Sequence, residues 1–258
     1  NEQGDLAMLS FSPSERVLIL GASSDTGSAL AHKLHSAGVQ VGLISRRSDR
    51  LERLRSDTGF AAAYIDSVTS EEINRAVSCL AEELGPITGA VNLLGTLLLK
   101  PVHLTSDIEW RETISVNLDS SFWFLKSVIA NSDRAQLSLV LVSSSAATTG
   151  IPNHEAIAAA KAGVEGLARS AAATYASKGY RFNVVAPGLV KTQLSAGVTS
   201  SEMSLRASEA MHPLKRLGSP EDVAGAIHWL LSAEADWVTG QVIGVDGGLA
   251  TLRTRVKV

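Results

Sequence analysis

The residues best equipped for chemistry gather where a short apolar run ends. Val17-Leu18-Ile19-Leu20 leads into Gly21-Ala22-Ser23-Ser24-Asp25-Thr26-Gly27, and the stretch from Thr26 to Ala37 then carries apolar residues at helical spacing. Strand, glycine turn and helix in that order aim backbone N–H groups and a helix N-terminus at one point, a geometry that holds a pyrophosphate. Gly21 supplies the tight turn and Gly27 the close approach of helix to sheet, while Asp25 occupies a site where a middle glycine is usual. Asp25 reads first as the helix N-cap, since Asp is a preferred cap, and second as a functional acid whose charge would weaken binding of a phosphate. Arg46 and Arg47 directly follow the second strand, where an acidic residue would accept the ribose hydroxyls of NAD. Two guanidiniums reverse that preference towards the 2′-phosphate of NADP(H), the alternative being a solvated pair at a strand end. Asp66, just past the third strand, reads equally as a contact to the adenine edge and as a plain loop aspartate.

The elements that must position these residues alternate along the chain. After Val17–Leu20 and the first helix come a strand at Val39–Ile44, a helix at Asp49–Arg55, a strand at Ala61–Ile65 and a helix at Ser70–Leu84 opened by Ser70, with Glu71 and Glu72 in its first turn. Ile87–Leu94 reads as the fourth strand, Asp107–Ala130 as one long helix, Leu137–Ser143 as the fifth strand and His154–Ser177 as a long Ala-rich helix. Phe182–Ala186 is the sixth strand, Pro220–Ser232 a helix and Gln241–Val245 the last strand. Such alternation predicts right-handed βαβ units and an α/β fold, a single doubly wound parallel sheet of Rossmann type with helices on both faces. Residues 189–216 have weak periodicity and are expected to form a loop segment covering the substrate, because long loops in compact domains are more often functional than mere spacers.

Composition bounds the reading. A chain of 258 residues, 45% hydrophobic and only 5% aromatic, suits one domain in which Ala-rich helices pack on a buried sheet. Charge is nearly balanced, 23 basic against 26 acidic residues, and neither sign forms a run that would mark a nucleic-acid or membrane surface. A single cysteine, Cys79, excludes an intramolecular disulfide and reads as a small apolar side chain on a helix. No leader-like start and no long uninterrupted apolar stretch are visible, so the expectation is a soluble, cytoplasmic protein with no nucleic-acid or membrane partner.

From Arg16 to Gly248 these positions, with several more, resemble the short-chain dehydrogenase/reductase family. Asn92 and Gly95 stand in that family's strand-four motif, although Leu93-Leu94 replaces its usual small or Asn residues. Asn117 in Val-Asn-Leu matches the family's helix asparagine, Ser144 its catalytic serine and Lys161 its catalytic lysine. Pro187-Gly188 with Val190 and Thr192 resembles the turn that contacts the nicotinamide. Pro213-Leu214, Arg216, Gly218-Ser219-Pro220-Glu221-Asp222 and Val245-Asp246-Gly247-Gly248 resemble the C-terminal signature. On the residues alone, Asn117 also reads as a buried asparagine satisfying helix backbone, and Ser144 as a strand-end hydroxyl.

The resemblance implies a mechanism in which a phenol protonates a carbonyl oxygen as hydride arrives, with lysine lowering its pKa and serine polarising the carbonyl. An ungapped alignment from Leu139 to Gly163 puts Ile157, not tyrosine, four residues before Lys161. A positioned general acid contributes roughly 10²- to 10⁴-fold in rate, so the family's usual carbonyl chemistry is expected to be badly impaired unless another group substitutes. The substitutes are His154, one helical turn earlier, and Lys161 or a water held by Lys161 and Ser144, with Tyr175 at the far end of the same helix and Tyr180 at the start of the sixth strand as poor third choices. Lys161 and Thr192 retain cofactor roles that need no phenol, on ribose hydroxyls and the carboxamide. The expectation is an NADP(H)-dependent oxidoreductase with an altered proton donor, acting on a carbonyl, hydroxyl or conjugated enoyl group of a small, partly apolar substrate. The alternative is a catalytically silent NADP(H)-binding protein acting as a sensor or subunit partner. The small residues of the Ala-rich helix, and the interface helices of resembling enzymes, lead to an expected homotetramer or homodimer.

Overall fold

The buried apolar residues of each strand divide between two layers, and that division fixes the architecture. In the computed structural model, which describes residues 11–253 apart from Pro13 and residues 133–135, Leu18 and Leu20 of the first strand join one core layer and Val17 and Ile19 join the other. Alternate residues of a strand point to opposite faces, so a strand apolar at every position demands cover on both sides. The order is β1 (Arg16–Leu20), α1 (Asp25–Ser36), β2 (Gln40–Ser45), α2 (Asp49–Thr58), β3 (Ala61–Tyr64), α3 (Ser70–Leu84) and β4 (Gly89–Asn92). Then follow α4 (Asp107–Ile114), α5 (Ser120–Ala130), β5 (Leu137–Val142), α6 (Glu155–Tyr175), β6 (Tyr180–Pro187), α7 (Glu202–Met211), α8 (Pro220–Leu231) and β7 (Val242–Val245).

The strands form one 7-stranded sheet in the order β3-β2-β1-β4-β5-β6-β7, every neighbouring pair parallel. This is the doubly wound arrangement expected from the alternation. β1 and β4 are neighbours, with Leu20 opposite Asn92, so the chain reverses its direction of growth between them. That reversal opens a crevice at the carboxyl ends of the strands, where such sheets bind ligands.

Several local features differ from the sequence reading. Ser24, not Asp25, caps α1: its hydroxyl accepts the Gly27 N–H at 3.0 Å, and Asp25 is the first helical residue. Thr69, one residue before Ser70, caps α3. Cys79 lies on α3 as expected, but on its exposed face. The expected helix from Asp107 to Ala130 is interrupted by a π-helical turn at Ser115–Asp119. Its cause is local, because the Asn117 side-chain amide donates to the Thr113 carbonyl at 2.9 Å, the acceptor an α-helical backbone N–H of Asn117 would use. Residues 189–216 contain a further helix, α7, whose capping box between Ser201 and Ser204 starts it without a strong apolar stripe.

Candidate active site

A cleft of about 880 Å³ runs along the carboxyl edge of the sheet. Residues at or just past the ends of successive strands line it: Gly21 after β1, Ser45 of β2, Ile65 after β3, Leu93 after β4, Ser143 after β5 and Pro187 of β6.

The glycine turn forms one end. Gly21 has φ +86°, a left-handed conformation that side chains rarely adopt. A Cβ on Gly27 would stand 2.6 Å from the Gly21 carbonyl oxygen, so only glycine lets α1 start this close to the turn. Ser23 reaches Ser45 of β2 across a 2.6 Å hydroxyl contact, and with Ser24 and Thr26 it faces the cleft. Such a turn at a helix N-terminus fits a dinucleotide pyrophosphate.

Asp25 is the departure from that fit, and its surroundings neutralise it. Its carboxylate takes the Arg50 guanidinium at 2.5 Å and the backbone N–H of Gln193 at 2.8 Å. Burial by itself raises this carboxyl's pKa, but the Gln193 amide and Arg50 outweigh it and hold the group below its usual range. Neither partner was visible as such in the sequence. Arg50 is an ordinary surface residue of α2 by pattern, and Gln193 lies in the segment of weak periodicity.

The two arginines separate. Arg46 lines the cleft, exposed and without a side-chain partner among the described residues. Arg47 instead stacks over the Tyr64 ring at 3.9 Å and lies 3.7 Å from Glu52, away from the cleft. Asp66 lines the cleft with its carboxylate exposed. Asn92, expected among the cofactor contacts, is buried. Its amide donates to Ser120 and Ser121 at 3.1 Å each and its oxygen accepts the Leu94 N–H at 2.9 Å, so it braces β4 against α5 and does not line the cleft.

At the other end stand Ser144, Lys161 and Asn117, brought together from the turn after β5, from α6 and from the π-helical turn. Lys161 is 6% exposed, donates to the Val142 carbonyl at 2.8 Å, and burial pushes its ammonium pKa down to about 8. Asn117 is fully buried. Its oxygen accepts the Thr96 N–H at 3.2 Å and its amide donates to the Thr96 hydroxyl at 2.9 Å, which anchors the loop after β4. A Cβ built on Gly95 would come within 3.2 Å of that oxygen and 3.7 Å of Lys161 Nζ, so the glycine leaves room beside these two groups. Ser144 accepts the Ala146 N–H at 3.2 Å, which leaves its own proton free to donate. Lys161 and Ser144 thus both present donors to the cleft, which suits them to polarising an oxygen.

Ile157 lines this end too, 4% exposed on the first turn of α6. His154 is the residue before that helix, and its Nδ1 is hydrogen-bonded to the Pro152 carbonyl at 2.8 Å. It also lines the cleft, with Nε2 as its remaining polar atom. Gly188, Val190 and Thr192 complete the wall, the Thr192 hydroxyl lying 3.3 Å from that of Ser195. Nothing in the local pattern singles out His212. Buried at the end of α7, it holds the Ser208 carbonyl through Nδ1 at 2.7 Å and accepts the Leu189 N–H through Nε2 at 3.2 Å, locking α7 to the turn after β6.

Comparison with known proteins agrees with this fold. The profile of a family described as enoyl-(acyl carrier protein) reductase matches residues 21–250. The chain is 35% identical over 224 residues to an inactive 2-(S)-hydroxypropyl-CoM dehydrogenase 2 of Xanthobacter autotrophicus, covering 84% of this chain and 97% of that protein. It is 33% identical over 249 residues to 2-(S)-hydroxypropyl-CoM dehydrogenase 3 of the same organism, covering 92% and 97%. A solved short-chain type dehydrogenase/reductase from Mycobacterium ulcerans superposes with a TM-score of 0.86 at 31% identity, over 93% of this chain and 90% of that one.

Proposed function

The chain belongs to the short-chain dehydrogenase/reductase family, and on that footing we propose that it is an NADP(H)-dependent oxidoreductase whose proton donor is Lys161 in place of the missing phenol. The observation that carries this reading is the buried Lys161 ammonium, with its pKa near 8, beside Ser144 and an aliphatic Ile157. An ammonium depressed to that range releases a proton far more readily than a solvated lysine, and its driving force suits a developing alkoxide.

The nicotinamide, when bound, supplies hydride to the electrophilic carbon of a carbonyl or a conjugated enoyl group. The rest falls to the chain. The glycine turn from Gly21 to Gly27 holds the pyrophosphate, Arg46 favours the 2′-phosphate, and Lys161 holds the ribose hydroxyls. Ser144 donates its hydroxyl proton as a hydrogen bond to the substrate oxygen, and Lys161 transfers a proton to that oxygen as negative charge develops. Asn117 fixes the loop carrying Gly95 and Thr96 and so keeps Lys161 accessible. His154 lines the same cleft as Ile157 and orients the substrate through Nε2.

The alternative is a catalytically silent NADP(H)-binding protein, and Ile157 together with a relative described as inactive favours it. Either protein would work as a homotetramer or homodimer in the cytoplasm; Ile108 and Trp110 of α4 and Phe122 of α5 are exposed and support an interface on that side. Among the described residues no helix is long and apolar enough to cross a membrane. Following NADPH oxidation with a panel of ketones and enones, for wild type and Lys161→Met, separates the two. Turnover lost in the variant supports the reductase, and tight NADPH binding without turnover supports the silent protein.

A further inference from the structure

Three arginines lie on α2, and among the described residues only Arg50 lines the cleft. Arg53 lines a separate groove of about 390 Å³ between α1 and α2, and Arg55 is spent on Glu52 and the Tyr64 hydroxyl. Ser48 caps the helix just ahead of Arg50, accepting the Leu51 N–H at 3.3 Å.

Arg50 touches the glycine turn through Asp25, at 2.5 Å, and the two side chains are only 31% and 24% exposed. A guanidinium presents several N–H donors in a planar fork. One Nη of Arg50 meets Asp25, and its other donors have no partner among the described residues. The second oxygen of the same carboxylate takes the Gln193 N–H at 2.8 Å, next to Thr192 on the cleft wall. Asp25 thus holds a cation over the turn with donors to spare.

The turn itself is short of donors. The N–H groups of Gly21 and Ala22 go to the Ile44 carbonyl at 2.8 and 3.2 Å, and that of Ser24 goes to the Gly21 carbonyl at 3.0 Å. The Gly27 N–H goes to the Ser24 hydroxyl at 3.0 Å. Asp25 adds a negative charge beside them. A pyrophosphate placed here would lose hydration next to a carboxylate, so it needs a cation within reach. Arg46 has no contact with the turn, and Lys161 stands at the opposite end of the cleft.

We propose that Arg50 is a binding residue for the nucleotide's pyrophosphate, shared between that group and Asp25, which positions it. The inference rests on the nucleotide-binding reading above. It separates two arginine roles: Arg46 meets a phosphate that NADPH alone carries, and Arg50 meets the part that NADPH and NADH have in common. Loss of Arg50 also leaves the Asp25 carboxylate uncompensated against the phosphates, so the two residues act as a coupled pair.

Calorimetric titration of the full chain with NADPH and with NADH tests this, for wild type, Arg50→Ala and Asp25→Ala/Arg50→Ala. Arg50→Ala is expected to weaken both nucleotides by the same factor, roughly ten- to a hundredfold, the effect of losing a hydrogen bond to a charged group. The double variant is expected to recover several-fold of that loss for both. Hydrogen-exchange protection of the β1 amides, unchanged in each variant, shows that the loss is not one of folding. Unchanged binding in Arg50→Ala overturns the inference, as does a loss confined to NADPH, which would put Arg50 on the 2′-phosphate. A double variant as weak as Arg50→Ala overturns the pairing with Asp25. Failure of wild type to bind either nucleotide removes the cofactor reading and the inference with it, whereas tight wild-type binding with no effect of Arg50→Ala removes the inference alone.

Discussion

The Asp25 carboxylate accepts the backbone N–H of Gln193 at 2.8 Å, joining the glycine turn to the segment that follows β6. Arg50 shares the same carboxylate at 2.5 Å. A charge in a position that usually carries glycine is thereby converted into a tie between the cofactor end and the segment leading to α7. A hydrogen bond to a charged group contributes about 1.5–3 kcal/mol. Asp25→Ala is expected to speed hydrogen exchange of the Gln193 amide by roughly ten- to a hundredfold on that scale, while the core strands keep their protection. Unchanged exchange at Gln193 would mean the tie contributes nothing.

Arg46 and Arg47 make a sharper pair of variants than either alone. Arg46→Ala should weaken NADPH binding about tenfold or more, the effect of one charge-assisted contact, and leave NADH nearly unchanged. Arg47→Ala should leave both affinities alone, because Arg47 is occupied by Tyr64 and Glu52. Calorimetric titration of the two variants with both nucleotides checks the assignment.

Lys161 predicts two pH dependences. If its ammonium supplies the proton, reduction falls as pH rises through about 8, where burial has moved its pKa. Stability runs the other way. The folded pKa is depressed from 10.5 to about 8, so in that window the unfolded chain binds the additional proton and the folded state becomes more favourable as pH rises. Denaturant unfolding of wild type and Lys161→Met across the window should show the wild type gaining on the variant with increasing pH. A constant difference would place the Lys161 titration elsewhere.

Ile157→Tyr returns a phenol to the first turn of α6. With Ser144 and Lys161 already in place, carbonyl reduction should rise by roughly 10²-fold or more, the usual contribution of a positioned acid. Initial rates of ketone reduction measure it. No gain in a variant that still binds NADPH would mean that more than the acid distinguishes this site.

Much of this was legible in the sequence because it depends on local pattern. Val17–Leu20 followed by the glycine turn specifies strand, turn and helix within a few residues, and repetition of that pattern specifies a parallel sheet. Gly21, Ser144, Lys161 and Thr192 do reach one cleft. What was not legible depends on partners distant in the chain. Asp25 looked like a cap because Asp often is one, but Ser24 accepts the Gly27 N–H first and releases Asp25 to meet Arg50 and Gln193. Asn92 looked like a cofactor contact, yet Ser120 and Ser121 claim its amide. The π-helical turn around Asn117 escaped notice because one side-chain bond to Thr113, not an apolar period, produces it.

The most direct test of the account is a calorimetric titration of the wild-type protein with NADPH and with NADH. The account predicts saturable binding of NADPH at one site per chain and markedly weaker binding of NADH. Absence of binding by either nucleotide would contradict it, and would mean that the Asp25 carboxylate closes the glycine turn to phosphates despite Arg50.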